Sequence, residues 1–303
     1  MFIGNQRINI FFEKAVASGK FAQVYCLSGV DQVGKRTLAF QLAAKLLDVA
    51  VEKLPNCPDF YYLNRGIDEK TGKERKEISV GQIRTLRSFL QNQSWQGGWR
   101  VIIIDEAEFL NEESGNALLK NLEEPGDKTV FFLLTQNDDL LLPTIRSRSE
   151  VWSLGLVEDE EIKKGLLGLG CVEEMADRII YLASGRPGRA IDFFQNEIKL
   201  QEWEEEIRRW QDLWKKPVHE RMKILEAVVS EKDDSERKEI RLQKILDIWT
   251  EEGQRMLREK TLSGDCAGAL ILVEVIDTLG AAKEMLGQNI NPKMVMEKII
   301  LKF

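Results

Sequence analysis

Residues 23–47 read QVYCLSGVDQVGKRTLAFQLAAKLL and decide the fold of the first half of the chain. A short apolar run is followed by a loop bounded by Gly29 and Gly34, and then by apolar residues at helical spacing. This order predicts a strand, a loop and a helix. Glycines let the N–H groups of such a loop face a phosphate, and Lys35 adds a positive charge. The stretch predicts a phosphate-binding loop, with an ordinary glycine-bounded turn as the alternative.

The loop departs from the usual pattern of Gly, four residues, Gly, Lys and then Ser or Thr. Arg36 follows Lys35, and Thr37 comes one residue late. The hydroxyl directly after the lysine normally coordinates Mg²⁺, and one step along a helix rotates a side chain by about 100°. Arginine can bind phosphate oxygens but cannot ligate a cation. We therefore predict a loop that holds a nucleotide and is poorly equipped to hydrolyse it.

A second signal is the segment WRVIIIDEAEFL at residues 99–110. Its apolar run Val101–Ile104 predicts a strand buried on both faces, as in a parallel sheet. Asp105 and Glu106 then lie at the carboxyl edge of the sheet, where open α/β sheets bind ligands. There Asp105 is placed to orient a metal ion and Glu106 to polarise a water molecule. The alternative is an acidic strand end that caps the following helix.

Polar residues also end the next predicted strand, VFFLLT, which should lie beside the strand that carries Asp105. Either Thr135 or Gln136 is then placed to contact a terminal phosphate. Arg146 and Arg148 precede a short final strand, EVWSL. Taken alone, two such arginines are solvated or paired surface residues.

Composition limits the classes of function. The net charge of −7 argues against a strongly basic surface that binds nucleic acid unaided. No apolar run approaches the roughly 20 residues of a membrane span, and the N-terminal residues lack the form of a signal peptide. We therefore expect a cytoplasmic protein with no membrane partner. The four cysteines form no CxxC pair, so the sequence signals neither zinc nor a disulfide framework.

The second half of the chain is predicted to be helical. Residues 156–200 contain three short helical segments, and long charged helices begin at about residue 202. An aromatic and apolar stripe at three- and four-residue steps comprises Trp203, Ile207, Trp210 and Trp214. Such a stripe could stack on bases, but we expect it to be helix core. The charged segment 65–77 predicts a solvated loop or hairpin tip.

Four segments together resemble the clamp-loader branch of the AAA+ superfamily. They are GVDQVGKRTLA (29–39), VIIIDEAEFLNEESGNALLKNLEEPG (101–126), FFLLTQNDDLLLPTIRSRS (131–149) and GRPGRA (185–190). Within this branch the chain is most similar to the delta-prime subunits of bacterial DNA polymerase III. The likeness is strong over residues 5–195 and weaker beyond them.

The resemblance implies an α/β P-loop (AAA+) domain with a parallel sheet at residues 1–155. A small helical lid at 156–200 and an all-α collar for oligomerisation at 201–303 are implied to follow. The implied cofactor is ATP or ADP, weakly bound or not hydrolysed. Many relatives carry a four-cysteine zinc module that is missing here, so no zinc is expected.

The resemblance also implies roles for two arginines. IRSRS is similar to the Ser-Arg-Cys element of clamp loaders, with Ser149 replacing the cysteine. Arg148 would then be an arginine finger that reaches the nucleotide of a neighbouring subunit. Arg189 in GRPGRA matches the region of the second nucleotide sensor. The implied partners are motor and clamp-opening subunits in a hetero-oligomeric ring, with the sliding clamp and primed DNA reached through the complex.

Two kinds of function stay open at this point. The favoured one is an assembly protein that contributes rigidity and Arg148 to a ring without turnover of its own. The other is a self-sufficient, ATP-hydrolysing motor subunit, which Asp105 and Glu106 support and Arg36 opposes. A small-molecule kinase would need an arginine-rich lid, and residues 156–200 offer only scattered arginines.

Overall fold

A computed structural model describes residues 1–67, 75–91, 98–230, 235–288, 290–300 and 302. The chain divides into two compact units, Met1–Gln195 and Asn196–Phe303. Most of the predicted loop at 65–77 lies outside the described residues. The further division at residues 155 and 200 stays a prediction.

The first unit is built on a sheet of parallel strands. The strands are β1 (Val24–Ser28), β2 (Phe60–Leu63), β3 (Arg100–Ile104), β4 (Thr129–Thr135) and β5 (Glu150–Ser153). Their order across the sheet is β2-β3-β4-β1-β5, and every neighbouring pair is parallel. Because β4 lies between β1 and β3, the segments that follow these three strands meet at one edge. The predicted adjacency of β3 and β4 is confirmed.

Helices cover both faces of this sheet. They are α1 (Gln6–Ser18), α2 (Lys35–Leu47), α3 (Val80–Gln91), α4 (Glu112–Glu123) and α5 (Pro143–Arg146). Alternate residues of the strands enter two separate apolar clusters, one that includes residues of α1 and α2 and one that includes residues of α3, α4 and α5. Val101, Ile102, Ile103 and Ile104 are all fully buried. The strand predicted to be buried on both faces is confirmed, since successive side chains point to opposite faces.

Local sequence signals set the end of α1 and the start of α3. Gly19 ends α1 in the left-handed conformation, with φ of 65°, which favours glycine. Ser79 caps α3: the Gln82 N–H donates to Ser79 Oγ at 3.4 Å. In return the Ser79 N–H donates to Gln82 Oε1 at 2.9 Å, which completes a capping box.

The rest of the first unit is helical, with α6 (Asp159–Gly168), α7 (Glu173–Ala183) and α8 (Pro187–Gln195). The second unit contains α9 (Glu197–Lys215), α10 (Val218–Ser230), α11 (Ser235–Ser263), α12 (Cys266–Gly287) and α13 (Pro292–Ile300). Trp210 is fully buried and Ile207 nearly so, which confirms that these two residues of the predicted stripe are core. Among the described residues, no helix combines the length and apolarity of a membrane span.

Candidate nucleotide-binding site

The loop between β1 and α2 has the backbone that its glycines predict. Gly34 has φ of +105°, which an L side chain rarely adopts, and a Cβ there would lie 3.1 Å from the Phe2 ring. A Cβ on Gly29 would collide with the backbone oxygen of Leu154. The loop therefore needs both glycines, and α2 begins at Lys35 directly after it.

The side chain of Lys35 folds back over this loop. Its ammonium donates hydrogen bonds to the carbonyl oxygens of Gly29 at 2.5 Å and Val30 at 2.9 Å. Burial lowers the Lys35 pKa, and the nearby carboxylates of Asp31 and Glu108 oppose that shift. The ammonium is thus held against the loop at the start of α2, where backbone N–H groups also attract anions.

A cavity of about 410 Å³ opens beside the lysine, a size in the range of small-ligand sites. Seven of the predicted site residues line it: Gly34, Lys35, Thr37, Asp105, Glu106, Thr135 and Gln136. Its other lining residues are Asp31, Gln32, Arg36, Tyr62, Asn64, Glu108, Leu134 and Gly188. The sheet edge and the loop therefore bring together most of the residues that the sequence predicts.

Asp105 already has partners from the protein. The Tyr62 hydroxyl donates to Asp105 Oδ2 at 2.8 Å, and Arg36 Nε lies 4.0 Å from the same oxygen. Burial raises the Asp105 pKa, while the Tyr62 hydrogen bond and the Arg36 charge lower it in part. Tyr62 was not predicted as a site residue, because its contact with Asp105 depends on the pairing of β2 with β3.

Glu106 is held by a second arginine. Arg65 donates from Nε to Glu106 Oε2 at 2.9 Å and from Nη2 to Glu106 Oε1 at 2.5 Å. The guanidinium of Arg65 also lies 4.0 Å from the centre of the Phe109 ring. A bidentate pair of this kind fixes both carboxylate oxygens. Glu106 lines the cavity, but its carboxylate is already committed to this ion pair.

The end of β4 presents Gln136 to the cavity rather than the hydroxyl of Thr135. Thr135 Oγ1 donates to the Asn137 carbonyl at 2.9 Å and accepts from the Asn137 N–H at 3.2 Å. Gln136 is exposed, and its N–H donates to Glu108 Oε1 at 3.1 Å. Within the described part of the chain, Glu108 Oε2 is buried without a hydrogen-bond donor.

The first half of the chain matches a family of known proteins. A family model described as DNA polymerase III, delta subunit, matches residues 4–157, which is about half of the chain. The chain belongs to this family. It is therefore a member of the clamp-loader family close to the delta-prime subunits, as the sequence predicts.

Individual relatives and one solved structure are similar to this chain. The chain is 36% identical over 141 residues to DNA polymerase III subunit delta′ of Pseudomonas aeruginosa, covering 42% of this chain and 41% of the relative. It is 27% identical over 204 residues to subunit delta′ of Escherichia coli, covering 61% and 59%. The chain thus spans about two fifths of the length of the Pseudomonas relative. A gamma subunit-related protein of Thermotoga maritima has a TM-score of 0.49 at 17% identity, with 96% and 97% of the two chains covered.

In this delta-family chain the predicted sensor Arg189 contacts the phosphate-binding loop at Gln32. It lies on α8, is 8% exposed, and donates from Nε to Gln32 Oε1 at 3.1 Å. The Gly188 N–H donates to the Gln32 carbonyl at 2.8 Å. A Cβ on Gly188 would come within 2.8 Å of that carbonyl oxygen, so glycine permits the close approach of α8. Gly188 lines the cavity, whereas Arg189 lies behind Gln32.

The two arginines at and just after the end of α5 differ in how they are held. Arg146 pairs with Asp138 at 2.8 Å and Asp139 at 2.7 Å, and Asp138 in turn accepts from Ser28 Oγ at 2.9 Å. Arg148 pairs with Glu123 at 2.6 Å and donates to the Thr144 carbonyl at 3.0 Å. Arg148 is exposed and is absent from the lining of the chain's own cavity.

Changing Tyr62 to phenylalanine should raise the Asp105 pKa further. The hydroxyl stabilises the charged carboxylate, so its loss leaves the effect of burial less opposed. An NMR titration of ¹³C-labelled aspartate carboxyl groups measures this shift. Tyr61→Phe is the matched control, because that ring packs on Phe89 at 5.0 Å in the cluster on the other face of the sheet. An Asp105 pKa that is equal in the two variants would contradict a stabilising hydrogen bond from the Tyr62 hydroxyl to Asp105.

Proposed function

We propose that this chain is a delta-prime-like subunit of a DNA polymerase III clamp loader. In that role it helps load the sliding clamp onto primed DNA during replication, in a ring with motor and clamp-opening subunits. It supplies rigidity and an arginine finger in trans, without ATP turnover of its own. The observation that carries this proposal is the exposed guanidinium of Arg148, outside the chain's own cavity.

The contacts of Arg148 would allow its side chain to bind a group on a neighbouring subunit. Its Glu123 partner is 48% exposed, and exposed ion pairs contribute only about 0–1 kcal/mol. Moving the guanidinium from Glu123 to an anion on another subunit therefore costs little. A planar guanidinium with several donors suits the charge that spreads over transferring phosphoryl oxygens.

The chain's own site supports binding more than hydrolysis. The loop of Gly29, Gly34 and Lys35 supports an anion cradle, and Gln136, which lines the cavity, is the proposed contact of a terminal phosphate. A water-activating Glu106 would have to leave its bidentate pair with Arg65. We therefore propose ATP or ADP as a ligand that is held weakly or without hydrolysis. The motor alternative has no observation in its favour beyond the presence of the two carboxylates.

The domain roles complete the proposal. Residues 1–155 serve as the AAA+ P-loop domain, 156–200 as the lid and 201–303 as the collar that joins the ring. The all-helical second unit supports the last of these, because long packed helices form rigid assembly domains. Arg189 and Thr37 remain proposed nucleotide contacts.

Incubating the purified chain alone with ATP and Mg²⁺ separates the two alternatives. We expect no phosphate release above background, and the same background from the Lys35→Ala variant. In a mixture with motor and clamp-opening subunits, omission of this chain should abolish ATPase stimulation by clamp and primed DNA. Turnover by the isolated chain that disappears on Lys35→Ala would instead identify a motor subunit.

A further inference from the structure

The side chain at position 36 lies where a phosphate-binding loop normally places a metal-binding hydroxyl. The Arg36 guanidinium is 4.9 Å from the centre of the Tyr62 ring and 5.4 Å from that of Phe40. Both distances are within the range of cation–π attraction. Although its side chain is 63% exposed, Arg36 thus has a preferred position at the cavity wall.

The same guanidinium lies close to the first carboxylate of the site. Arg36 Nε is 4.0 Å from Asp105 Oδ2, and that oxygen also accepts from the Tyr62 hydroxyl at 2.8 Å. A divalent ion at Asp105 Oδ2 would compete with the hydroxyl for this oxygen and lie beside the positive charge of Arg36. Mg²⁺ also demands a near-octahedral set of oxygen ligands, and position 36 offers none.

The carboxylate of Glu106 is likewise paired with an arginine. Both oxygens of Glu106 accept from Arg65, which is itself held over the Phe109 ring at 4.0 Å. Asp105 and Glu106 therefore do not suit Mg²⁺, whereas Lys35 and Arg36 on the cavity wall suit a polyphosphate anion. Asp105 and Glu106, the two carboxylates that follow β3, therefore each lie beside an arginine.

We infer that the site binds the polyphosphate of a nucleoside di- or triphosphate without a divalent cation, with Arg36 taking the charge role of the metal. The inference rests on the proposed nucleotide site and is independent of the proposed trans action of Arg148. The positive charge that faces the phosphates then comes from Lys35, Arg36 and the N-terminus of α2. Arginine suits this role because its guanidinium is permanently charged and carries five N–H donors.

Calorimetric titration of the full chain with ADP and ATP tests the inference. In excess EDTA we expect binding at least as tight as in excess Mg²⁺, since the metal competes for the phosphate oxygens that Arg36 binds. Arg36→Thr restores the hydroxyl directly after the lysine. This variant should bind about tenfold or more weakly in EDTA, where a charge-assisted hydrogen bond is lost, and should recover affinity when Mg²⁺ is added.

Arg84→Thr is the matched control, since Arg84 is an exposed arginine on α3 and does not line the cavity. Its affinities should equal those of the unchanged chain in both media, and circular dichroism should show all three proteins equally folded. Three results would overturn the inference: a requirement for Mg²⁺ in the unchanged chain, equal binding of Arg36→Thr in EDTA, or no binding in either medium. The last result would also refute the proposed ATP or ADP ligand, whereas the first two would leave that ligand in place. None of the three alters ring assembly or the ATPase test of Arg148, so the proposed role in trans fails or stands separately.

Discussion

Replacing Arg148 by alanine should slow ATP hydrolysis by the reconstituted clamp loader while leaving the chain folded and assembled. An arginine finger contributes on the order of 10³- to 10⁵-fold to the rate at the site that it serves. The steady-state ATPase rate of the ring should therefore fall by the fraction of hydrolysis that takes place at the site served by Arg148. In a single-turnover experiment the same interface should appear as a new slow phase.

The structure explains why this variant should stay folded. Arg148 is exposed, and its partners are the exposed carboxylate of Glu123 and a backbone carbonyl. Loss of such contacts costs about 1 kcal/mol or less. Arg146 would be a poor choice for the same test, because its pairs with Asp138 and Asp139 tie α5 to the turn after β4.

Two further variants make the measurement specific. Arg148→Lys keeps a positive charge but loses the planar fork of donors, so it should recover only part of the rate. Arg84→Ala removes an exposed arginine from α3 and should leave the rate unchanged. Full activity of the Arg148→Ala complex, with assembly verified by gel filtration, would refute the trans role.

The features of this site that short continuous stretches of the chain form could be predicted from the sequence. The strand, loop and helix of residues 23–47 follow from one apolar run, two glycines and helical spacing. Asp105 and Glu106 follow a strand so apolar that only burial on both faces accounts for it. Each of these signals is local, and each specifies both an element and the end at which its polar residues lie.

Contacts between strands were not predictable in the same way. Arg65 begins a segment whose charge and glycines predict a solvated loop, yet it forms the bidentate pair with Glu106. The contact arises because β2 pairs with β3, and Leu63 lies opposite Ile104 in that pairing. No pattern within residues 60–67 carries this information. Knowledge of the strand order would have placed Tyr62 and Arg65 beside the two carboxylates.

The tryptophans of α9 are expected to contribute strongly to the stability of the second unit. Trp210→Ala should lower the free energy of unfolding of the second unit by about 3–5 kcal/mol, the cost of removing a large buried aromatic side chain. Trp210 is fully buried, and its ring centre lies 5.9 Å from that of Trp214 and 6.0 Å from that of Trp249. Its indole N–H points to the Met256 sulfur at 3.2 Å, so the side chain fills a specific place between α9 and α11.

Thermal and urea unfolding of the full chain, followed by circular dichroism, measures this loss. In a unit of about 100 residues each 1 kcal/mol lowers Tm by about 4–8 °C, so the drop should exceed 10 °C. Trp203→Ala is the matched control on the same helix, and its loss should be smaller because Trp203 is only partly buried. If the stripe instead stacked on bases, Trp210→Ala would leave Tm unchanged and weaken binding of single-stranded DNA by about 1–3 kcal/mol per stacked base. Burial of the Trp210 ring favours the first outcome, because a side chain without exposed surface cannot stack on a base.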